Sequence, residues 1–434
     1  MRRLLVLGLL LGGIHLLYPL GTQEWGGTTL LAFGFLILAA YTVGELARAV
    51  GLPKIVGYLA AGVIFGPAGL QTVTALSVGR LGPVSQLAVA LIAFLAGAEL
   101  RWKEVRDRGI TLLKMTVVEL SLAFIALAVV LYALMGFIPF LSDAPQATQI
   151  AAALLFASVA IVHSPAVTMA VLSETEAHGT VARTTLGVVL IADVVVVILF
   201  SIALTVARNL APPVEGAQAM TVGMAVWEIG GALLVGALLG GAVALYLRFV
   251  GRELVLFAVL VAFFGAEIAR VAHVELLLTL LTAGFVTENV STEGDALRAA
   301  VERSAAPVFV VFFALSGAKI DLPQVVPLLP LVLPLAAVRA AAIFGGTRLG
   351  GRWAGAEEGE RRLVWMGLVS QAGVAIGLAA ILSETYGEMG LRLQGMLLAL
   401  IAVNETVGPI LFRRALSASG EVPEPAPLAG KATT

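Results

Sequence analysis

Apolar stretches long enough to cross a bilayer recur along this chain from Leu4 to Phe412. Length and flanking residues predict fourteen membrane-spanning helices, or thirteen if the first is removed as a signal peptide. That first stretch, in MRRLLVLGLLLGGIHLLYPL, has a basic start but no clean small-x-small cleavage site after it. It is expected to remain as an N-terminal extra transmembrane helix over residues 1–27. The composition agrees, with 59% hydrophobic and 13% charged residues and a mean hydropathy of +1.00. The predicted fold is an all-α polytopic membrane protein held in the lipid bilayer. Basic residues are scattered in short loops, which gives a nucleic-acid partner no support. There is no cysteine, so thiolate metal sites and cysteine catalysis are excluded.

Lys and Arg set the topology, because short cytoplasmic loops hold them. With the N-terminus inside, 21 fall on the inner side and 5 (Arg80, Arg208, Arg270, Lys319 and Arg392) on the outer, with Arg339 left inside a helix. A missed helix would scramble that asymmetry. Both termini are therefore expected in the cytoplasm, and a bacterial inner (plasma) membrane is the expected location. The Pro/Ala-rich tail 417–434 is expected to be disordered.

Asp193 lies in VVLIADVVVVILFSI, with no other charge between Val188 and Ile202. A carboxylate near the bilayer centre costs about 2.5–3.5 kcal/mol by insertion scales, and such a residue usually serves a proton or a cation. Proton-bound and cation-bound states exclude each other, and either neutralises the side chain before it crosses a low-dielectric barrier.

The helix before Asp193 is interrupted at its centre by His163, Ser164 and Pro165, with Ser158 and Thr168 nearby. Proline removes a donor and frees carbonyls, which at that depth must be buried in protein or line a wet cavity. The C-terminal end repeats the layout. Ser370, Gln371, Gly373 and Gly377 interrupt one segment, and Asn404, Glu405 and Pro409 mark the next. Helices two to seven (about 28–206) and nine to fourteen (about 254–416) then form two inverted six-helix repeats, with 222–247 as linker. Paired broken helices in an inverted repeat point to an ion site at the midplane of a secondary transporter.

At these residues the chain resembles the monovalent cation:proton antiporters of the Kef/NapA-like branch, within the sodium/proton exchanger superfamily. The resemblance rests on LPKIVGYLAAGVIFGPAGL (52–70), FLAGAEL (94–100), SPAVTMAVLSETEAHGT (164–180), LGVVLIADVVVVILF (186–200), LLTLLTAGFVTEN (277–289), FFALSGAKIDL (312–322), SQAGVAIGLA (370–379) and NETVGPILFRRAL (404–416). It implies two crossed, centrally unwound helices, a homodimer contact and an Asp193 that binds a proton and a cation in turn. It also implies a basic residue before the second crossing, here Arg339. The pattern departs at Ala192, where many relatives carry Asp or Asn, so the second titrating carboxylate of the electrogenic members is missing. The Kef regulatory domain has no counterpart in the sequence.

The expected activity is therefore antiport of Na⁺ or K⁺ against H⁺ by alternating access, electroneutral, with no cofactor and no enzymatic reaction. A Kef-like efflux channel is the alternative, disfavoured because no repeated carbonyl filter is visible. An intramembrane aspartyl enzyme would need a second acid close by, and Glu405 is the one partner on offer. Oxygens for the cation are expected from freed carbonyls and from Ser164, Thr168 or Ser158. Arg339 lies roughly 13 Å along its helix from Arg348. It can pair with Asp193, offset the dipoles of the broken helices, or form a static pair with Glu119. His163 suits a pH sensor or a hydrogen-bonded structural residue. Glu267, Glu275 and Glu288 are expected at the interface, and Gly236-x-x-x-Gly240 permits a close helix contact.

Overall fold

The computed structural model describes residues 27–98, 102–211, 222–250, 252–291, 307–371 and 373–423. The expected first helix and most of the expected tail lie outside these. Among the described residues every regular element is a helix, and each of the remaining thirteen predicted segments is helical. Eight helices or broken-helix pairs are long and apolar enough to cross a bilayer, and four shorter apolar helices accompany them.

In chain order the elements are α1 (Gly27–Ala49), α2 (Lys54–Phe65), the short α3 (Ala75–Arg80), α4 (Gly82–Ala98), α5 (Trp102–Ala133) and α6 (Gln146–Ala160). Next come α7 (Pro165–Thr175), α8 (Thr180–Leu210), α9 (Val222–Phe249), α10 (Leu254–Ala272), α11 (Leu276–Val290) and α12 (Pro307–Ala318). The chain ends in α13 (Leu322–Val325), α14 (Leu329–Ala354), α15 (Glu358–Gly367) and α16 (Gly373–Ala418). Gly387, at φ 54° and ψ −124°, divides α16 into two helices. That left-handed φ suits glycine, and a Cβ at Gly390 would sit 1.9 Å from the Leu382 carbonyl oxygen.

Lipid tails are as apolar as leucine, so hydrophobicity does not hold helices against one another in a bilayer; close packing does. Glycines mark where backbones touch. Gly97 of α4 and Gly284 of α11 each lie against the other helix's backbone, so that an added Cβ would meet the Leu281 or Phe94 carbonyl oxygen within 2.0 Å. Gly62 of α2 and Gly317 of α12 do the same reciprocally. Gly236 and Gly240 of α9 lie on Thr279 and Ala283 of α11, so the expected close contact forms. Gly346 and Gly350 of α14 rest on the Cα atoms of Glu119 and Met115 of α5. That last contact carries Arg339 and Glu119 into the centre of the bundle, where both are fully buried.

Gly97→Ala is expected to cost about 1–3 kcal/mol through overpacking. Gly34→Ala, where nothing lies within 4 Å, should be neutral or slightly stabilising. Thermal unfolding of the two purified variants in detergent checks the contrast; equal shifts would mean that the α4–α11 approach is not tight.

Candidate functional site

The two helix breaks lie against each other. The first spans Ile161–Ser164, between α6 and α7. Ser164 is the N-cap of α7, its Oγ accepting from Val167 N at 3.2 Å, and Pro165 follows where no N–H is needed. The second break, at residues 368–371, separates α15 from α16. Its closure needs Gly408, since a Cβ there would strike Ser370 Oγ.

Each break leaves the carbonyls at one helix's C-terminal end without intrahelical donors. Arg339 supplies them. Its Nε donates to Ala160 O at 2.6 Å, Nη2 to Val162 O at 2.8 Å and Nη1 to Val369 O at 2.6 Å, with a longer bond from Nη2 to Leu368 O at 3.4 Å. One guanidinium thus joins the negative ends of α6 and α15. A C-terminus carries roughly half a negative charge, so two of them match one positive charge. Gln371 adds a further tie, donating Nε2 to Ala160 O at 2.8 Å and accepting from Asn404 Nδ2 at 2.7 Å.

This answers the question left open over Arg339. It spans the dipole ends of the broken helices, and among the described residues it forms no ion pair with Asp193 or Glu119. The carboxylate of Glu119 instead takes His163. His163 Nδ1 lies 2.7 Å from Leu368 O, and Nε2 lies 3.1 Å from Glu119 Oε2. Arg339 Nη2 also approaches Nδ1, at 3.4 Å. His163 is 1% exposed and is held through both ring nitrogens.

Asp193 stands on α8, thirteen residues from its start. It lines a cleft of about 20 Å³, with Glu275 and Leu278 beside it and Val374 opposite. That volume is room for one water molecule. Asp193 Oδ1 is shielded from solvent and has no hydrogen-bond partner. Val374 belongs to the first turn of α16, so the positive end of the half-helix after the second break meets the cleft. Ala192 is fully buried in the apolar core.

Glu275 has contacts that the sequence reading did not give it. It was expected at the interface; it caps α11, accepting from Leu277 N at 3.0 Å and from Leu278 N, and lines the Asp193 cleft. The signal was an acid directly before an apolar run, as an N-cap requires. The hydroxyls of Ser158, Ser164 and Thr168 do not line that cleft. Ser158 Oγ donates to Leu155 O at 2.8 Å and Thr168 Oγ1 to Ser164 O at 3.0 Å. Glu405 lies outside the cleft too, in a separate cavity.

Residues 34–414 match the family described as sodium/hydrogen exchanger, transmembrane. The chain belongs to that family. Its members are membrane transporters that exchange a cation for a proton, not enzymes. In fold the chain is similar to the sodium proton antiporter MjNhaP1 from Methanocaldococcus jannaschii. One structure of that protein, at pH 8, superposes with a TM-score of 0.67 at 16% identity, over 90% of this chain and 96% of that one. An electron-microscopy structure of it gives a TM-score of 0.70 at 16% identity, over 91% and 98%. Comparison with curated protein sequences gives no match.

Because Arg339 satisfies carbonyls of both breaks, Arg339→Met is expected to destabilise the exchanger by about 3–5 kcal/mol. Arg339→Lys keeps the charge but not the fork, and should fall between that variant and wild type. Thermal unfolding in detergent ranks the three. Wild-type stability in Arg339→Met would show that the breaks do not need the guanidinium.

Proposed function

We propose that this exchanger swaps a monovalent cation, Na⁺ or K⁺, for H⁺ by alternating access, with Asp193 as the shared site. The observation that carries this is the unpartnered Oδ1 of Asp193 in a one-water cleft that no Lys or Arg lines among the described residues. A structural acid at that depth would be paired or hydrogen-bonded. An acid left open to a small cleft is one that a proton or a dehydrated cation completes. That MjNhaP1 is a sodium proton antiporter agrees with this reading.

The membrane domain is taken as 28–416, two inverted repeats joined by the helix at 222–247, and the working unit as a homodimer with both termini in the cytoplasm of a bacterial cell. The repeat reading is supported by the matched breaks, each followed by a helix that carries polar side chains: Asp193 after the first, and the buried Asn404 and Glu405 after the second. Ion-ligand roles for Ser158, Ser164 and Thr168 need a state of the carrier in which their hydroxyls leave the backbone. His163, Pro165, Gln371, Gly373, Asn404, Arg339 and Glu119 shape and hold the breaks. With Ala192 beside Asp193, exchange is one proton for one cation, and membrane potential has no hold on it.

In proteoliposomes with a pH dye, Asp193→Asn is expected to lose cation-driven proton movement by about 100-fold or more, while wild type is unaffected by a voltage clamp. The apparent KM for the cation should rise as pH falls, by about tenfold per pH unit once the acid is mostly protonated, because the proton competes for the same oxygens. Unchanged exchange in Asp193→Asn would reject the site, and voltage-sensitive exchange would reject the stoichiometry.

A further inference from the structure

A second cavity, of about 460 Å³, lies between α4, α12 and the second half of α16. Leu276 and Ile376 line it. These are near neighbours in sequence of Glu275 and Val374, which line the Asp193 cleft. The start of α16 and the start of α11 therefore border both spaces.

Glu405 stands in the wall of this larger cavity. It is 3% exposed, and its Oε1 is shielded from solvent with no hydrogen-bond partner. Among the described residues no Lys or Arg lies within 4 Å of its carboxylate. Two other charged groups line the cavity, Lys319 and Asp321, on the loop after α12. Asp321 caps α13, accepting from Gln324 N at 3.4 Å. From α4 come Ser85 and Gln86, polar but uncharged, and α11 adds only Leu276. A buried carboxylate with no donor of its own is costly, and something outside the fold completes it.

The two volumes separate the roles. At about 30 Å³ for each water, 460 Å³ accepts a cation with its hydration shell; the Asp193 cleft, with room for one water, does not. We propose that Glu405 is a second site for a monovalent cation in exchange with a proton, in a wet vestibule beside the Asp193 cleft, with Lys319 as a tethered charge that competes for it. The proposal rests on the antiport reading and extends it. The vestibule gathers a hydrated ion, and dehydration is left to Asp193. Topology from the Lys and Arg asymmetry puts Lys319, and so the vestibule, on the outer side.

Binding of ²²Na⁺ to the purified, detergent-solubilised protein at alkaline pH tests this. Asp193→Asn should retain a Na⁺ site that weakens as pH falls, and the double variant Asp193→Asn/Glu405→Gln should lose it. Lys319→Gln in the Asp193→Asn background should tighten the remaining site several-fold, which keeps the test open if the double variant misfolds. Retention of the site in a folded double variant, or an affinity unmoved by Lys319→Gln, would overturn the proposal. So would loss of all binding in Asp193→Asn while wild type still binds, a result that leaves the antiport reading standing. Absence of binding in wild type would remove both.

Discussion

One guanidinium holds the centre of this exchanger together. A broken helix in a membrane exposes carbonyls that neither lipid nor the helix itself can satisfy. Here two such breaks are set end to end, and Arg339 donates to carbonyls from both. Like-signed helix ends would otherwise repel across a low dielectric. The cation lets the two breaks lie against each other, and the half-helix α16 that follows the second one brings its positive end to the Asp193 cleft. The cost of burying the arginine is met by backbone carbonyls, so no carboxylate is drawn away from the ion path.

That division of charges explains the layout around it. Glu119 looks like the natural partner for Arg339, but its carboxylate is taken by His163. Gly346 and Gly350 let α14 press onto α5, placing Arg339 beside that pair, with Nη2 3.4 Å from His163 Nδ1 and no ion pair to Glu119. The positive charge is therefore spent on helix dipoles, and among the described residues Asp193 has no ion-pair partner. A site meant to release its cation needs that condition, since a fixed arginine would occupy the carboxylate permanently.

Much of this was legible in the sequence, and the parts that were not share a cause. Ser164-Pro165 announces a helix restart, because a cap oxygen followed by a residue without N–H fits the first turn. Asp193 stands out by charge against an apolar run. Gly236 and Gly240 marked a close helix contact by spacing, but not that its partner is α11. Arg339, by contrast, could be placed at the right depth but not given its partners. Those partners are main-chain carbonyls from segments some 180 and 30 residues away, and a carbonyl leaves no mark in a sequence. Glu275 was read only as a residue near a segment end, because its partners, two N–H groups of its own helix and the Asp193 cleft, leave no mark in the sequence. The hydroxyls of Ser158 and Thr168 looked free to bind an ion; each bonds a carbonyl on its own helix.

The presence of Glu275 beside Asp193 bears on stoichiometry. Two carboxylates in one cleft would ordinarily share charge and carry two protons between them. Glu275, however, is committed to two backbone N–H groups at the positive end of α11. Its carboxylate is already held by fixed donors, which sets it apart from Asp193. Glu405 has no such partner, but a vestibule wide enough for a hydrated ion lets it load and unload on one side of the membrane. Only a group whose charge is neutralised by the transported ion itself, and which moves between the two sides with it, sets the coupling ratio. On that criterion the proposed exchange counts Asp193 once, and neither glutamate alters its proposed one-for-one ratio.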